Sequence, residues 1–237
     1  MSSAPSTRPA VSPSGPPVAR SEPSEARGRL LHAALALFAA QGFAKTSTRE
    51  IAQAAGTNIA AIAYYFGDKA GLYAATFDEP LGGTSADLVA LLDAGDGGMS
   101  QTLRRFFDAY VAPLRLGDVA RQCMRLHLRE LIEPSGHRTG EALEELRGPH
   151  EAMVRMLGRH LGLVEEGAAD DELHRLALAI VGMAIQLFVM QDIVDALRPG
   201  LLGSPAAIDA WAARLHEQAM ALIDAEAARR RTAAASR

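Results

Sequence analysis

Between Lys45 and Lys69 the chain concentrates groups suited to holding a polyanion. Thr46, Thr48 and Tyr65 offer hydroxyls, Arg49 and Lys69 offer cations, and Asn58 offers an amide. Hydroxyl and cationic side chains grip phosphate oxygens, while an amide or a guanidinium can read base edges. Ile59, Ala60 and Ala61 lie among them. Small side chains let a backbone come close to a groove, and their methyls can meet thymine methyls. Over residues 27 to 69 the basic Arg27, Arg29, Lys45, Arg49 and Lys69 outnumber the acidic Glu50 and Asp68. The local charge is therefore positive although the whole chain carries −4, and the local field is what a phosphate meets.

Other chemistry is thinly represented. The seven histidines form no spaced pair with a nearby carboxylate of the kind that ligates a metal. There is no nucleophile elbow and no phosphate-cradling glycine loop ahead of a helix. The expectation is a non-enzyme with no catalytic residues, no metal and no cofactor. Cys123 is the single cysteine. It stands beside Met124 in a helical stretch and reads as a core residue, since a redox sensor needs an exposed, electropositive thiolate. No apolar run approaches the length that crosses a bilayer, and no signal-peptide pattern opens the chain. A cytoplasmic protein with no membrane partner is expected.

The elements that must position the Lys45–Lys69 groups are helices. Apolar residues make up 49% of the chain and aromatics 5%, with Ala, Leu and Arg abundant, a balance that favours helix over sheet. Residues 1–23 are rich in Pro, Ser and Ala without apolar periodicity, and predict a disordered arm bearing Arg8 and Arg20. Ser24 then caps a helix with Leu30, Leu31, Ala34, Leu35, Leu37 and Phe38 at helical spacing, ending at Gly42. Ser47 with Glu50 makes a capping box for a short helix carrying Ile51, Ala52 and Ala55, which Gly56 ends. Asn58 caps a third, Ile59 to Tyr65. Two short helices around a glycine turn are the helix-turn-helix pattern, although the same spacing also fits a plain three-helix subdomain. Gly67 and Asp68 close the third helix and cap a fourth, Lys69 to about Asp78.

Beyond a boundary near residues 79 to 84 the periodicity predicts helices at Ser85–Asp93, Ser100–Leu114, Gly117–Leu131, Thr139–Leu161 with a distortion at Gly148-Pro149, Asp170–Leu197 and Ser204 to about Arg230. The expected organisation is all-α. It has an arm (1–23), a helix-turn-helix domain (24–80), a helical domain (81–230) and a disordered tail (231–237). Leu176, Ile180, Met183 and Leu187 form one apolar stripe and Trp211, Leu215 and Leu222 another, which can make a four-helix dimer interface. The stripes also suit packing within one subunit. Phe106, Phe107, Tyr110, Met124, His127, Arg129, Glu130, Gln186, Met190 and Gln191 place polar and aromatic groups on apolar helices, as in a ligand cavity or a core with satisfied polar groups.

The run Gly42-Phe43-x-Lys45-Thr46-Ser47-Thr48-Arg49-Glu50-Ile51-Ala52-x-Ala54-Ala55-Gly56 is followed by Ile62-Ala63-Tyr64-Tyr65-Phe66-Gly67-Asp68-Lys69-x-Gly71-Leu72. Together they resemble the TetR/AcrR family of regulators over about residues 27 to 78. Arg129-Glu130 with Pro134, and Gly148-Pro149-His150, resemble the ligand domain of its CecR-like branch over about residues 100 to 195. The resemblance implies a transcription regulator, in most cases a repressor. It would bind a palindromic double-stranded operator as a homodimer and be released by a small-molecule inducer. It implies that Thr48 and Arg49 approach phosphate and bases, that Ile59, Ala60 and Ala61 face bases, and that Tyr65 and Lys69 hold phosphates. Tyr64 and Phe66 would pack inward. Many members carry a polar residue or glycine where Ala60 and Ala61 stand. Arg49 and Asn58 are therefore expected to carry much of the base contact, with DNA shape supplying the rest. The competing reading is a weakly specific DNA-binding protein with no small-molecule ligand.

Overall fold

The computed structural model describes residues 23–78, 85–94, 97–163 and 170–236, the side chains of Pro23 and Thr139 apart. The expected arm with Arg8 and Arg20, and the expected boundary at 79 to 84, lie outside the described residues. Helices run α1 Pro23–Lys45, α2 Thr48–Ala54, α3 Ala60–Phe66, α4 Lys69–Asp78, α5 Ser85–Ala94, α6 Gly98–Val111, α7 Asp118–Ile132, α8 Thr139–Leu161, α9 Asp171–Val189, α10 Gln191–Leu197 and α11 Pro205–Ala235, with a 3₁₀ turn at Ala112–Leu116. Among the described residues there is no strand.

Two cores organise these helices. Leu30, Leu35 and Phe38 of α1 pack on Ile51 and Ala52 of α2, Ile62 of α3, and Leu72, Tyr73 and Phe77 of α4. The second core joins α5, α6, α8, α9 and α11 through Leu92, Phe106, Phe107, Met153, Leu157, Ile180 and Leu215. Helix α7 belongs to both: Cys123 and Leu126 complete the first core, and Ala120 enters the second. Glu130, also on α7, is fully buried. The Tyr73 hydroxyl donates to its Oε2 at 2.7 Å, and Ser135 donates to it through both its backbone N–H and Oγ. A buried carboxylate survives because three donors replace its water.

Several expected boundaries move. Ser24 lies inside α1, which starts at Pro23, a residue tolerated in a first turn because its missing N–H would be unpaired there anyway. Helical hydrogen bonding resumes past Gly42, whose φ of 81° interrupts the regular dihedrals. A Cβ at Gly42 would also sit 3.3 Å from the Arg129 guanidinium, so both conformation and space favour glycine. Helix α8 continues through Pro149 as one helix, held between α5 and α9. The expected single helix Asp170–Leu197 breaks at Met190. There Arg121 binds Gln191 at 2.7 Å and Asp192 at 2.6 Å, and so turns α10 onto α7. The tail expected to be disordered is helical to Ala235. Its alanines are the best helix formers. Arg230 anchors that end to Asp170 of α9 at 2.8 Å, and Thr232 and Ser236 hydroxyls donate to carbonyls four residues back.

Helix α9 is long and apolar enough to cross a membrane by composition, with a mean hydropathy of 1.5 over its best window. This corrects the expectation that no run reaches that length. Its two sides differ in burial, however. Leu173, Leu176, Ala177, Ile180, Ala184, Leu187 and Phe188 are buried, whereas Leu178, Gln186 and Val189 are not.

Candidate nucleic-acid interface

The first core fixes α2 and α3 side by side and decides which of their side chains face out. In α2 the Ser47 Oγ accepts from the Glu50 backbone N–H at 3.2 Å. The Glu50 carboxylate in turn accepts from the Ser47 N–H at 2.8 Å and from its hydroxyl at 2.8 Å. These bonds, backbone first, hold the Glu50 carboxyl below its ordinary range, with Lys69 adding a smaller pull. The capping box therefore ties down an acidic group beside the candidate phosphate contacts. Ile51, Ala52 and Ala55 turn inward, which leaves Arg49 and Gln53 exposed and Thr48 half-buried.

In α3 the Asn58 Oδ1 accepts from the Ala60 N–H at 3.0 Å, so Asn58 caps the helix and keeps its amide N–H groups outside. Ile62 alone is fully buried on this helix. Ala60, Ala63 and Tyr64 face solvent, and Ile59 is 46% exposed. Ala61 is half-buried against the core. Gly67 ends α3 at φ 80°, and Asp68 caps α4 by accepting from the Gly71 N–H at 2.8 Å.

Three assignments change. Thr46 is buried, and its hydroxyl donates to the Gly42 carbonyl at 2.8 Å. It closes the end of α1 and presents nothing to DNA. Tyr64, expected inward, is 81% exposed, while Tyr65 and Phe66 are the half-buried members of the aromatic run. Tyr64 and Gln53 are thus surface residues that the sequence reading missed. The signal was available, because with Ile62 inward the helical angle carries position 64 outward. Lys69 is half-buried with its ammonium 4.1 Å from the centre of the Phe43 ring. Burial pushes its pKa down, and Glu50 partly offsets this. Arg27 lies over Phe66 at 4.9 Å, and the Arg29 Nε–H donates to the Ala55 carbonyl at 3.1 Å. These two cations brace the unit from behind.

The result is a convex face of Arg49, Gln53, Asn58, Ile59, Ala60, Ala63 and Tyr64, with Lys45 and Thr48 beside it and Tyr65 and Lys69 at its border. It presents a guanidinium, an ammonium, a phenol and two amides around small methyls. That is the kit for phosphate contact with close backbone approach to a groove.

The residues singled out in the second domain do not converge. Phe106 and Phe107 are buried and stack edge to face at 5.3 Å. Tyr110 lies within reach of Phe106 and Phe188, and its burial pushes the phenol up to about 12. Met124 packs beside them. Phe106 and Phe107 belong to the second core, and Tyr110 and Met124 are half-buried against it. His127 packs on Phe77 and has a nitrogen 2.8 Å from the Cys123 carbonyl. Glu130 and Gln191 are buried and bonded to protein partners. Gln186 and Met190 lie nearer the surface. Arg129 reaches the first domain, donating to the Ala40 carbonyl at 3.3 Å.

The stripes expected to dimerise are similarly divided. Leu176, Ile180, Leu187 and Leu215 are buried in their own subunit's core, with Met183 and Trp211 packed against it. Leu222 is 37% exposed. The inward face wins because α6, α7 and α8 lie against it.

Residues 30–76 match the family model of bacterial regulatory proteins, tetR family. Residues 99–226 match that of the C-terminal domain of the HTH-type transcriptional dual regulator CecR. The CecR regulator of Shigella flexneri is 57% identical over 51 residues, which cover 22% of this chain and 22% of that protein. The aligned stretch thus spans about a fifth of that relative. Among solved structures, the TetR family transcriptional regulator PfmR from Thermus thermophilus aligns with a TM-score of 0.57 at 21% identity, over 81% of this chain and 96% of that one. A TetR-like transcriptional regulator from a Rhodococcus species aligns with a TM-score of 0.54 at 21% identity, over 82% and 93%.

Proposed function

The chain belongs to the tetR family of bacterial regulatory proteins and carries a CecR-type C-terminal domain, and from that premise we propose that it binds a palindromic operator as a homodimer, acts as a cytoplasmic repressor and is released by a small-molecule ligand. The observation that carries the DNA reading is the exposed α2–α3 face. Its outward groups are Arg49, Gln53, Asn58, Ala60, Ala63 and Tyr64, all on elements locked by one core. Arg49 reads bases and Tyr64 takes a phosphate. Lys69, held on Phe43, acts as a fixed partial contact.

The dimer reading rests on α9. An apolar surface on a helix is normally covered, yet Leu178 is exposed, with Ala179 and Gly182 near it on α9. Leu222 and Ala225 of α11 are exposed as well. A second copy covers these small and aliphatic groups and places two reading heads about 34 Å apart, one turn of DNA.

Selection of bound sequences from a random DNA pool at fixed salt tests the proposal. Enrichment of a palindrome with half-sites about one turn apart is expected. Enrichment of no common sequence would refute the operator reading, and a single unpaired half-site would refute the dimer.

A further inference from the structure

At the edge of the second core, a groove of about 280 Å³ runs between the end of α7 and the end of α9. Arg125, Leu128, Arg129 and Ile132 of α7 line it from one face of the helix, with Glu133 just beyond them and Phe188 and Val189 opposite. Its volume stands at the lower edge of the ~300–1,000 Å³ range of small-molecule sites. The walls are apolar and two guanidiniums stand among them. Arg125 pairs with Asp192 at 3.3 Å and Arg129 with Glu133 at 2.9 Å, and in both pairs the carboxylate is well exposed. Exposed pairs of this kind contribute only about 0–1 kcal/mol, so an incoming carboxylate can displace them. A guanidinium fork matches a carboxylate in two parallel hydrogen bonds.

Arg129 also faces the first domain. Its Nη2 donates to the Ala40 carbonyl, and its chain lies under Gly42, where α1 leaves regular helix. The last carbonyls of a helix lack in-helix donors, so Arg129 supplies one just ahead of α2.

We propose that this groove binds a small carboxylate with an apolar body, and that Arg129 reports its occupancy to the helix-turn-helix by exchanging the Ala40 carbonyl for the ligand. The second half rests on the ligand-responsive reading above; the first half does not. Ligand and DNA affinities must shift each other by the same factor.

Calorimetric titration of the full chain with phenylbutyrate, and with phenylbutyramide as its neutral counterpart, tests the site. The acid is expected to bind at least about tenfold more tightly than the amide, the difference a charge-assisted fork supplies. Arg129→Gln should lose that preference. Because removing the Ala40 donor could disturb the fold, Ile132→Glu is the second variant. Ile132 is 77% exposed, so the thermal midpoint should hold while acid binding falls. Equal affinity for acid and amide, or undiminished acid binding in both variants, would overturn the site. A change in oligomeric state in Ile132→Glu would overturn it too, by making the groove a subunit contact. In fluorescence anisotropy on a selected operator, phenylbutyrate should weaken binding by wild type and leave Arg129→Gln unmoved. Acid binding with no such shift would overturn the reporting role of Arg129 and leave the site standing. Failure to enrich any operator would sink the DNA reading alone.

Discussion

Tyr73→Phe removes one oxygen from the seam between the two cores and nothing else. The ring keeps its edge-to-face partners, Phe38 at 4.9 Å, Phe43 at 4.9 Å and Phe77 at 5.1 Å. What is lost is the 2.7 Å hydrogen bond to Glu130, whose side chain is fully buried. The Ser135 hydroxyl donates to Oε1, and the Ser135 N–H is shared between both oxygens at 3.2 Å. Oε2 would therefore lose its 2.7 Å partner and keep a share of the Ser135 N–H at 3.2 Å. Hydrogen bonds to charged groups contribute about 1.5–3 kcal/mol. A loss of about 2 kcal/mol is expected, and at about 2–4 °C per kcal/mol for a chain of this size the midpoint should fall about 4–8 °C. Urea denaturation followed by circular dichroism measures the free energy, and a thermal melt the midpoint. Combining Tyr73→Phe with Glu130→Gln should give less than the summed losses, since the pair is in contact. A Tyr73→Phe protein within about 0.5 kcal/mol of wild type, the range of ordinary surface changes, would refute the reasoning.

Three further outcomes follow from the same geometry. Asp170 caps α9 and binds Arg230, whose hydrogen bonds are the main reason its carboxyl is held down at about 2. A depressed carboxyl stabilises the fold above its unfolded pKa and loses that contribution as the pH falls. Stability should therefore drop between about pH 4 and pH 2, and Asp170→Asn should flatten this limb in urea titrations at stepped pH. Cys123 is buried and its thiol is pushed up to about 12. A thiol-disulfide reagent should thus label the chain at neutral pH only after denaturant is added, and rapid labelling of native protein would contradict its place in the core. Arg49→Ala, at an exposed position, should leave the stability within about 0.5 kcal/mol of wild type while relaxing base preference in a repeated DNA selection. A uniform weakening across all sequences would reassign Arg49 to phosphate.

What was legible in the sequence was local. The Ser47–Glu50 box, the cap at Asn58 and the stop at Gly67 each depend on residues two to four apart. Their outcome follows from backbone hydrogen-bonding needs that any context leaves in place. What failed was settled by distant partners. The Thr46 hydroxyl turns inward because the end of α1 offers it the Gly42 carbonyl. Leu176, Ile180 and Leu187 could not be assigned to a subunit core or a subunit contact, because α9 is apolar on both sides and periodicity alone cannot say which side its own chain covers. The break at Met190 depends on Arg121, some seventy positions away. Arg129 also bridges the domains, a role only the packing of α7 on α1 reveals.

Helix α7 supplies Cys123 and Leu126 to one core and Ala120 to the other, so the unit that reads DNA is not a contiguous stretch of polypeptide. A head excised after Asp78 would leave Leu30, Phe38 and Tyr73 partly bare, and a chimera made by exchanging residues 24–78 alone would seat a foreign head on a mismatched surface. A transplant that works must carry the matching side of α7 with it, Cys123, Leu126 and Glu130 included. Heads and C-terminal domains joined in this way can therefore be recombined only in pairs already fitted to each other.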